Sequence, residues 1–340
     1  MSVLSVVVTI IILGLLIFVH ELGHFLAAKL VGIKVHEFAL GMGPLVYSKR
    51  VGETQYSLRA LPIGGYNRMA GMDPEEEYDP RGFNTRTVGQ RMGVIAAGSI
   101  MNFLLAIVLF AVFFMGIGVA SNRNEIGEVL AGSPAAQAGL QEGDRIVAVN
   151  GTDTPTWEDL VRVIRAHPDE EIQLTVQRGK AEFSVTVMTV RDEQENVGLI
   201  GIKGVVEKKG FFESIWLGIS SSVALIVIIV QQLFLMIGGQ VPADVAGPVG
   251  MVSIVGQAVH FGIGTLIRFA ALLSLNLGII NLLPIPALDG SRLVFLAIEG
   301  IRGRPVNPAK ENFIHFIGFV VLLGLMVLIT YQDLWRLFTD

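Results

Sequence analysis

Cysteine is missing from all 340 residues. Disulfides and thiolate metal sites are therefore excluded, and any bound metal must rest on imidazoles and carboxylates. Charge is scarce as well: Asp, Glu, Lys and Arg make up 16% of the chain and nearly cancel, leaving a net charge of −5. That balance provides no basic field, so nucleic acid is not expected as a partner. Internal repeats and low-complexity tracts are also absent. What remains is apolar. The chain is 52% hydrophobic with a mean hydropathy of +0.61, more than a soluble core of this size requires, and membrane spans are the first expectation.

The first apolar run, Val3–Val19, has no basic residue before it and no small-residue cleavage site after it. It reads as a retained transmembrane helix rather than a signal peptide, reaching about Ala28. Further long apolar stretches cover 93–119, 215–237, 266–283 and 313–330. Between the first two, residues 29–92 are polar. Alternation around Val35–Phe38 and Tyr56–Leu61, punctuated by Gly41, Gly43-Pro44, Gly52 and Gly64-Gly65, predicts short strands and turns. Asp73–Asp79 is expected to be a mobile acidic surface loop. Residues 122–206 carry much of the charge and predict a soluble module. Its strands are expected at Ile126–Leu130, Arg145–Asn150, Glu171–Arg178 and Ala181–Thr189, with a helix at Trp157–Ala166. Gly247-Pro248-Val249-Gly250 is a breaker-rich stretch between two apolar runs.

The chemistry concentrates at His20-Glu21-Leu22-Gly23-His24. On a helix, residues four apart share a face, so both imidazoles can reach one metal with Glu21 beside it as a general base. The bland alternative is a helix end surfacing at the interface. Ionisable groups within a membrane helix cost roughly 2.5–3.5 kcal/mol each, so three clustered together call for a reason. A catalytic zinc takes three protein ligands and keeps an open position. Asp289, just after Pro284 and Pro286, can supply the third, but an Asp-Gly turn explains the same dipeptide equally well. His36, His260 and His315 are isolated and better suited to surface or packing roles. Asn276 and Asn281, amides in an apolar run, either bond neighbouring helices or hold an extended substrate near the metal.

At these residues the sequence resembles the site-2 protease family, most closely the bacterial RseP-type intramembrane zinc metalloproteases. The likeness covers nearly the whole chain: the HExxH, Phe38–Pro44, Leu61–Tyr66, Gly98-x-x-x-Asn102, Gly247–Gly250, and Asn276 and Asn281 leading into Leu288-Asp289-Gly290. The resemblance implies Zn2+ on His20, His24 and Asp289, with Glu21 as the catalytic base. It also implies a membrane-reentrant β element over Lys34–Met69, whose edge, including Gly64 and Gly65, binds substrate by strand addition. The soluble module looks like one PDZ domain, from Ala131–Leu140, Gly143–Ile146 and Val149–Gly151. The best-known enterobacterial pattern has two in tandem, so a filter built from two modules does not carry over.

The implied fold is a polytopic α-helical membrane protein of about four transmembrane helices, with the β element and an inserted extracytoplasmic PDZ domain. The partners implied are the lipid bilayer and single-span membrane proteins, cut in regulated intramembrane proteolysis of an anti-sigma factor or a remnant signal peptide. The PDZ domain would contact their extracytoplasmic parts or C-termini. Lys and Arg after the first span and after Asp289 place both loops in the cytosol. The N-terminus and PDZ domain then lie outside a bacterial cytoplasmic membrane, with the active site near the cytosolic face. Parity requires that 215–237 or 266–283 does not cross. Because the second delivers Asn276, Asn281 and Asp289, the first is expected to be an interfacial clamp helix. A non-proteolytic PDZ scaffold and a metal transporter are the competing readings.

Overall fold

The computed structural model describes residues 2–73, 76–193, 195–241 and 247–339. Residues 74 and 75 of the acidic loop and the approach to Gly247 at 242–246 lie outside it, as do the side chains of Pro62 and Ile63. The chain divides into two units, Met1–Phe113 with Phe212–Asp340, and Phe114–Phe211.

Helix α1 spans Val3–Leu30 and opens with Ser2 accepting from the Ser5 N–H at 3.1 Å. Its buried residues, Ser5, Thr9, Ile12, Leu16, His20, Gly23 and His24, form one stripe at helical spacing, while Val7, Ile11 and Leu15 stay exposed. Both imidazoles therefore face the protein interior. The polar stretch that follows forms two long bent strands, β1 (Val35–Val51) and β2 (Thr54–Met69), instead of several short ones. Gly41 and Gly43, at φ +85° and +81°, bend β1 without ending it. Phe38 lies opposite both Tyr56 and Asn67, and Tyr56 opposite both Phe38 and Lys49. The two strands thus make four segments in the order Tyr47–Arg50, Gln55–Leu58, Glu37–Leu40, Gly65–Arg68, and the last is an edge. Helix α2 (Val88–Gly116) packs against α1 where Gly23 meets the Ala97 backbone.

The second unit is a β-rich region with its own core. Residues 152–153, 145–149, 171–178 and 181–188 form one four-stranded sheet. Helices α3 (Pro134–Gln137) and α4 (Trp157–Arg165) accompany it, and Ile126, Ile146, Leu160, Ile172 and Leu174 fill the core. The short strands at 197–199 and 202–204 are not legible as alternation, because each is only three residues long. Burial works against ionisation of Asp144, yet hydrogen bonds from Arg178 and the Gln141 N–H hold its carboxyl below the usual range.

The first unit resumes with α5 (Phe211–Ile237), α6 (Pro248–His260), α7 (Ile263–Leu282), α8 (Asp289–Arg302) and α9 (Pro308–Thr339). Among the described residues, five helices are long and apolar enough to cross a membrane: α1, α2, α5, α7 and α9. The breaker-rich Gly247–Gly250 starts a helix, because Pro248 occupies its first turn, where no N–H is needed. That turn docks on Asp333 of α9, whose Oδ2 accepts from the Gly250 N–H at 2.7 Å. Further along α6, Gly256 lies against Ser5 of α1. Helix α6 therefore sits at the N-terminal end of α1.

Candidate active site

His20, Glu21 and His24 project from the inward stripe of α1, and Asp289 reaches them from 269 residues along the chain. Helix α7 stops at Leu282, and the Pro284 and Pro286 segment carries the chain to Asp289, which opens α8 instead of closing an Asp-Gly turn. This connection is gripped from two sides. The Ala287 N–H, at a residue with φ +76°, donates to His315 Nδ1 at 3.1 Å. Gly318 of α9 leaves room for Pro286, and Gly290 lies against the Leu282 and Leu283 carbonyls.

His20 Nε2 and His24 Nε2 are each 3.1 Å from Asp289 Oδ2 and 3.2 Å from one another. Tetrahedral ligands at ~2.0–2.1 Å from a zinc ion stand roughly 3.3 Å apart, so this triangle has the dimensions of a zinc site. The other ring nitrogens fit the same role. His24 Nδ1 lies 2.9 Å from the Val94 carbonyl, which accepts a hydrogen bond from the Nδ1–H and leaves the Nε2 lone pair facing the triangle. His20 Nδ1 lies 3.3 Å from the Asn102 side chain, which is fully buried. For His20 Nε2 to be a ligand, Nδ1 must carry the proton. The acceptor is then the Asn102 amide oxygen, otherwise without a partner among the described residues, because an amide's two ends exchange by a half turn. The Asn102 backbone is itself fixed, its main-chain carbonyl accepting from the Ser274 hydroxyl of α7 at 2.7 Å.

Gly98 makes this packing feasible. A Cβ there would overlap His24 Nε2 and stand 2.8 Å from His20 Cε1. Gly98→Ala is therefore expected to displace both rings and weaken zinc binding by at least about tenfold. Zinc content against a graded chelator measures the change.

Glu21 is held separately. Asn67 Nδ2 donates to its carboxylate Oε2 at 2.7 Å and to its backbone carbonyl at 2.8 Å. A cavity of about 560 Å³ opens onto His20, Glu21, His24 and Asp289 and is lined also by Gly64, Gly65 and Asn281. Gly65 abuts Glu21, where a Cβ would come 2.9 Å from its Cγ. Asn276 is half-buried on α7 and does not line this cavity. His36 pairs with Glu76 at 2.6 Å, and His260 is exposed. His315, read from sequence as a surface or packing residue, anchors the Asp289 loop. Neither it nor Asn67 carries a sequence signal, since each acts across a distance only the fold closes.

The sequence profile of peptidase family M50 matches residues 8–325. This chain belongs to that family, the site-2 proteases. A putative zinc metalloprotease of Clostridium acetobutylicum is 39% identical to it, with 98% of each chain covered. The regulator of sigma-W protease RasP of Bacillus subtilis is 36% identical, covering 99% of this chain and all of the relative. Among solved structures, the PDZ domain of an SdrC-like protein from Listeria monocytogenes aligns at a TM-score of 0.23 and 18% identity, over 26% of this chain and 92% of that one. As an M50 peptidase the chain is a zinc metalloprotease, and its membrane-length helices make it a multi-pass membrane protein.

Proposed function

We propose that His20, His24 and Asp289 hold the zinc and that Glu21 is the general base of an endopeptidase acting on single-span membrane proteins. The observation that carries this reading is the convergence of three ligand atoms at 3.1–3.2 Å from one another, two from the apolar helix α1 and one from the start of α8, with a fixed carboxylate next to them. A zinc ion held by His20, His24 and Asp289 would supply Lewis-acid activation of the attacking water and of the scissile carbonyl. Glu21 accepts the proton of the attacking water and returns it to the leaving amine.

A transmembrane helix must unwind before its backbone can be cut, since its peptide groups are otherwise satisfied internally. The edge segment Gly65–Arg68, beside the site, would hold the unwound segment by strand addition. Gly64 and Gly65 have no side chain to obstruct its approach, and Asn281 can hydrogen-bond its backbone. Asn276, away from the cavity, is better suited to helix packing. The name of the Bacillus subtilis relative, a regulator of sigma-W, favours regulated intramembrane proteolysis of an anti-sigma factor over general clearance. Cleavage of a tagged single-span substrate by the wild type but not by Glu21→Gln tests the activity. Equal cutting by the two would refute it.

The orientation proposed puts the N-terminus and the PDZ-like unit outside the bacterial cytoplasmic membrane and the zinc near the cytosolic face. The short connection from α5 to α6 supports the view that α5 does not cross. Gly218 of α5 lies against Ile107 of α2, and Leu105 and Leu109 of α2 pack against the cluster of Ile12 and Leu16 in the N-terminal half of α1. Helix α6 packs at the N-terminal end of α1, Gly256 against Ser5. A full crossing would leave the C-terminus of α5 at the opposite face, with only residues 238–247 to return. The absence of native cysteine permits a direct test. A cysteine at exposed Lys180 should react with an impermeant maleimide on intact cells, and one at exposed Lys310 only after permeabilisation. The reverse pattern would overturn the orientation.

A further inference from the structure

Asn67 belongs to the edge segment Gly65–Arg68, which among the described residues pairs only with Glu37–Leu40, and it lines the active-site cavity. Both acceptors on its amide nitrogen, the Glu21 carboxylate and the Glu21 carbonyl, can only accept, so the orientation of this amide is fixed by chemistry. Its two hydrogens are thereby committed. Its oxygen, Oδ1, is buried and has no donor among the described residues. A buried acceptor left without a donor is costly, and most such groups in folded proteins are satisfied. The missing donor must arrive from elsewhere.

An extended peptide laid along this edge presents main-chain N–H groups at the strand spacing. We propose that Asn67 is a positioning residue that accepts a main-chain N–H of the unwound substrate through Oδ1 while holding Glu21 through Nδ2. Docking of the substrate and alignment of the base are then one event, joined through a single amide. A transmembrane helix that has not unwound has no free N–H to offer, so the arrangement favours catalysis only once the backbone is extended. This rests on the strand-addition reading above.

Three measurements on the full-length protein test it. Asn67→Val should reduce kcat/KM by roughly 10- to 100-fold, the expected loss for a hydrogen bond to a charged group. Its zinc content and melting temperature should match the wild type. Asn67→Asp keeps an acceptor for the substrate amide and loses the donor to Glu21, so kcat should fall while KM stays within about threefold. In a synthetic single-span substrate, amides flanking the scissile bond are then replaced one at a time by esters, which removes one N–H each. At one position the ester should slow the wild type by roughly five- to tenfold and slow Asn67→Val no further. If the most damaging ester harms both proteins equally, the role of Asn67 is overturned while edge docking survives. If no ester matters to the wild type, strand addition itself fails. Normal kcat in Asn67→Val, or loss of zinc from it, also overturns the proposal.

Discussion

Glu21→Gln is expected to bind one zinc per chain and to cleave at least ~10²–10⁴-fold more slowly than the wild type, the usual range for removing a general base. The isosteric amide keeps the volume of the side chain and touches none of the three ligand atoms. Asn67 still finds an acceptor on it, the amide oxygen, so the local packing is preserved. What disappears is the capacity to take a proton. Zinc stoichiometry measured beside the cleavage rate separates this from collapse of the site. A Glu21→Gln protein that lost its zinc would show the carboxylate to be structural, and one that still cut would remove it from the mechanism.

Asp289→Ala should behave oppositely, losing zinc and activity together. His20 and His24 would remain 3.2 Å apart on α1, but two neutral imidazoles without the carboxylate neither complete the ligand set nor balance the charge of the ion. Affinity is expected to fall by more than about 100-fold, beyond what loss of an outer-shell partner causes. Competition with a chromogenic chelator gives the number. Zinc retained at wild-type affinity would mean that another group, such as His315 on the adjoining helix, had been overlooked as a ligand.

The contrast between His24 and Asp289 separates the local from the long-range part of this site. A spacing of four from one histidine to the next is a statement about one helix face, and α1 keeps both rings on its buried stripe. The module at 122–206 is comparably legible where its strands are long. The strand at Glu171–Arg178 is bounded as its alternation suggests, whereas strands of two or three residues give no period to read. Gly247-Pro248-Val249-Gly250 shows the limit of reading breakers as ends. The same Pro that stops a helix from within starts one at its first turn, and only the Asp333 contact shows which applies here.

The sequence by itself determined the membrane class, the excluded thiolate chemistry and the paired imidazoles, because each depends on composition or on spacing within one element. The tertiary structure decided the rest. It placed Asp289 against α1 through a loop held by His315, set Asn102 and the Val94 carbonyl behind the two rings, and brought Asn67 onto Glu21. These groups are separated from their partners by 28 to 269 residues. No local pattern encodes such pairings, since a hydrogen bond closed by packing leaves no periodicity in the chain that makes it.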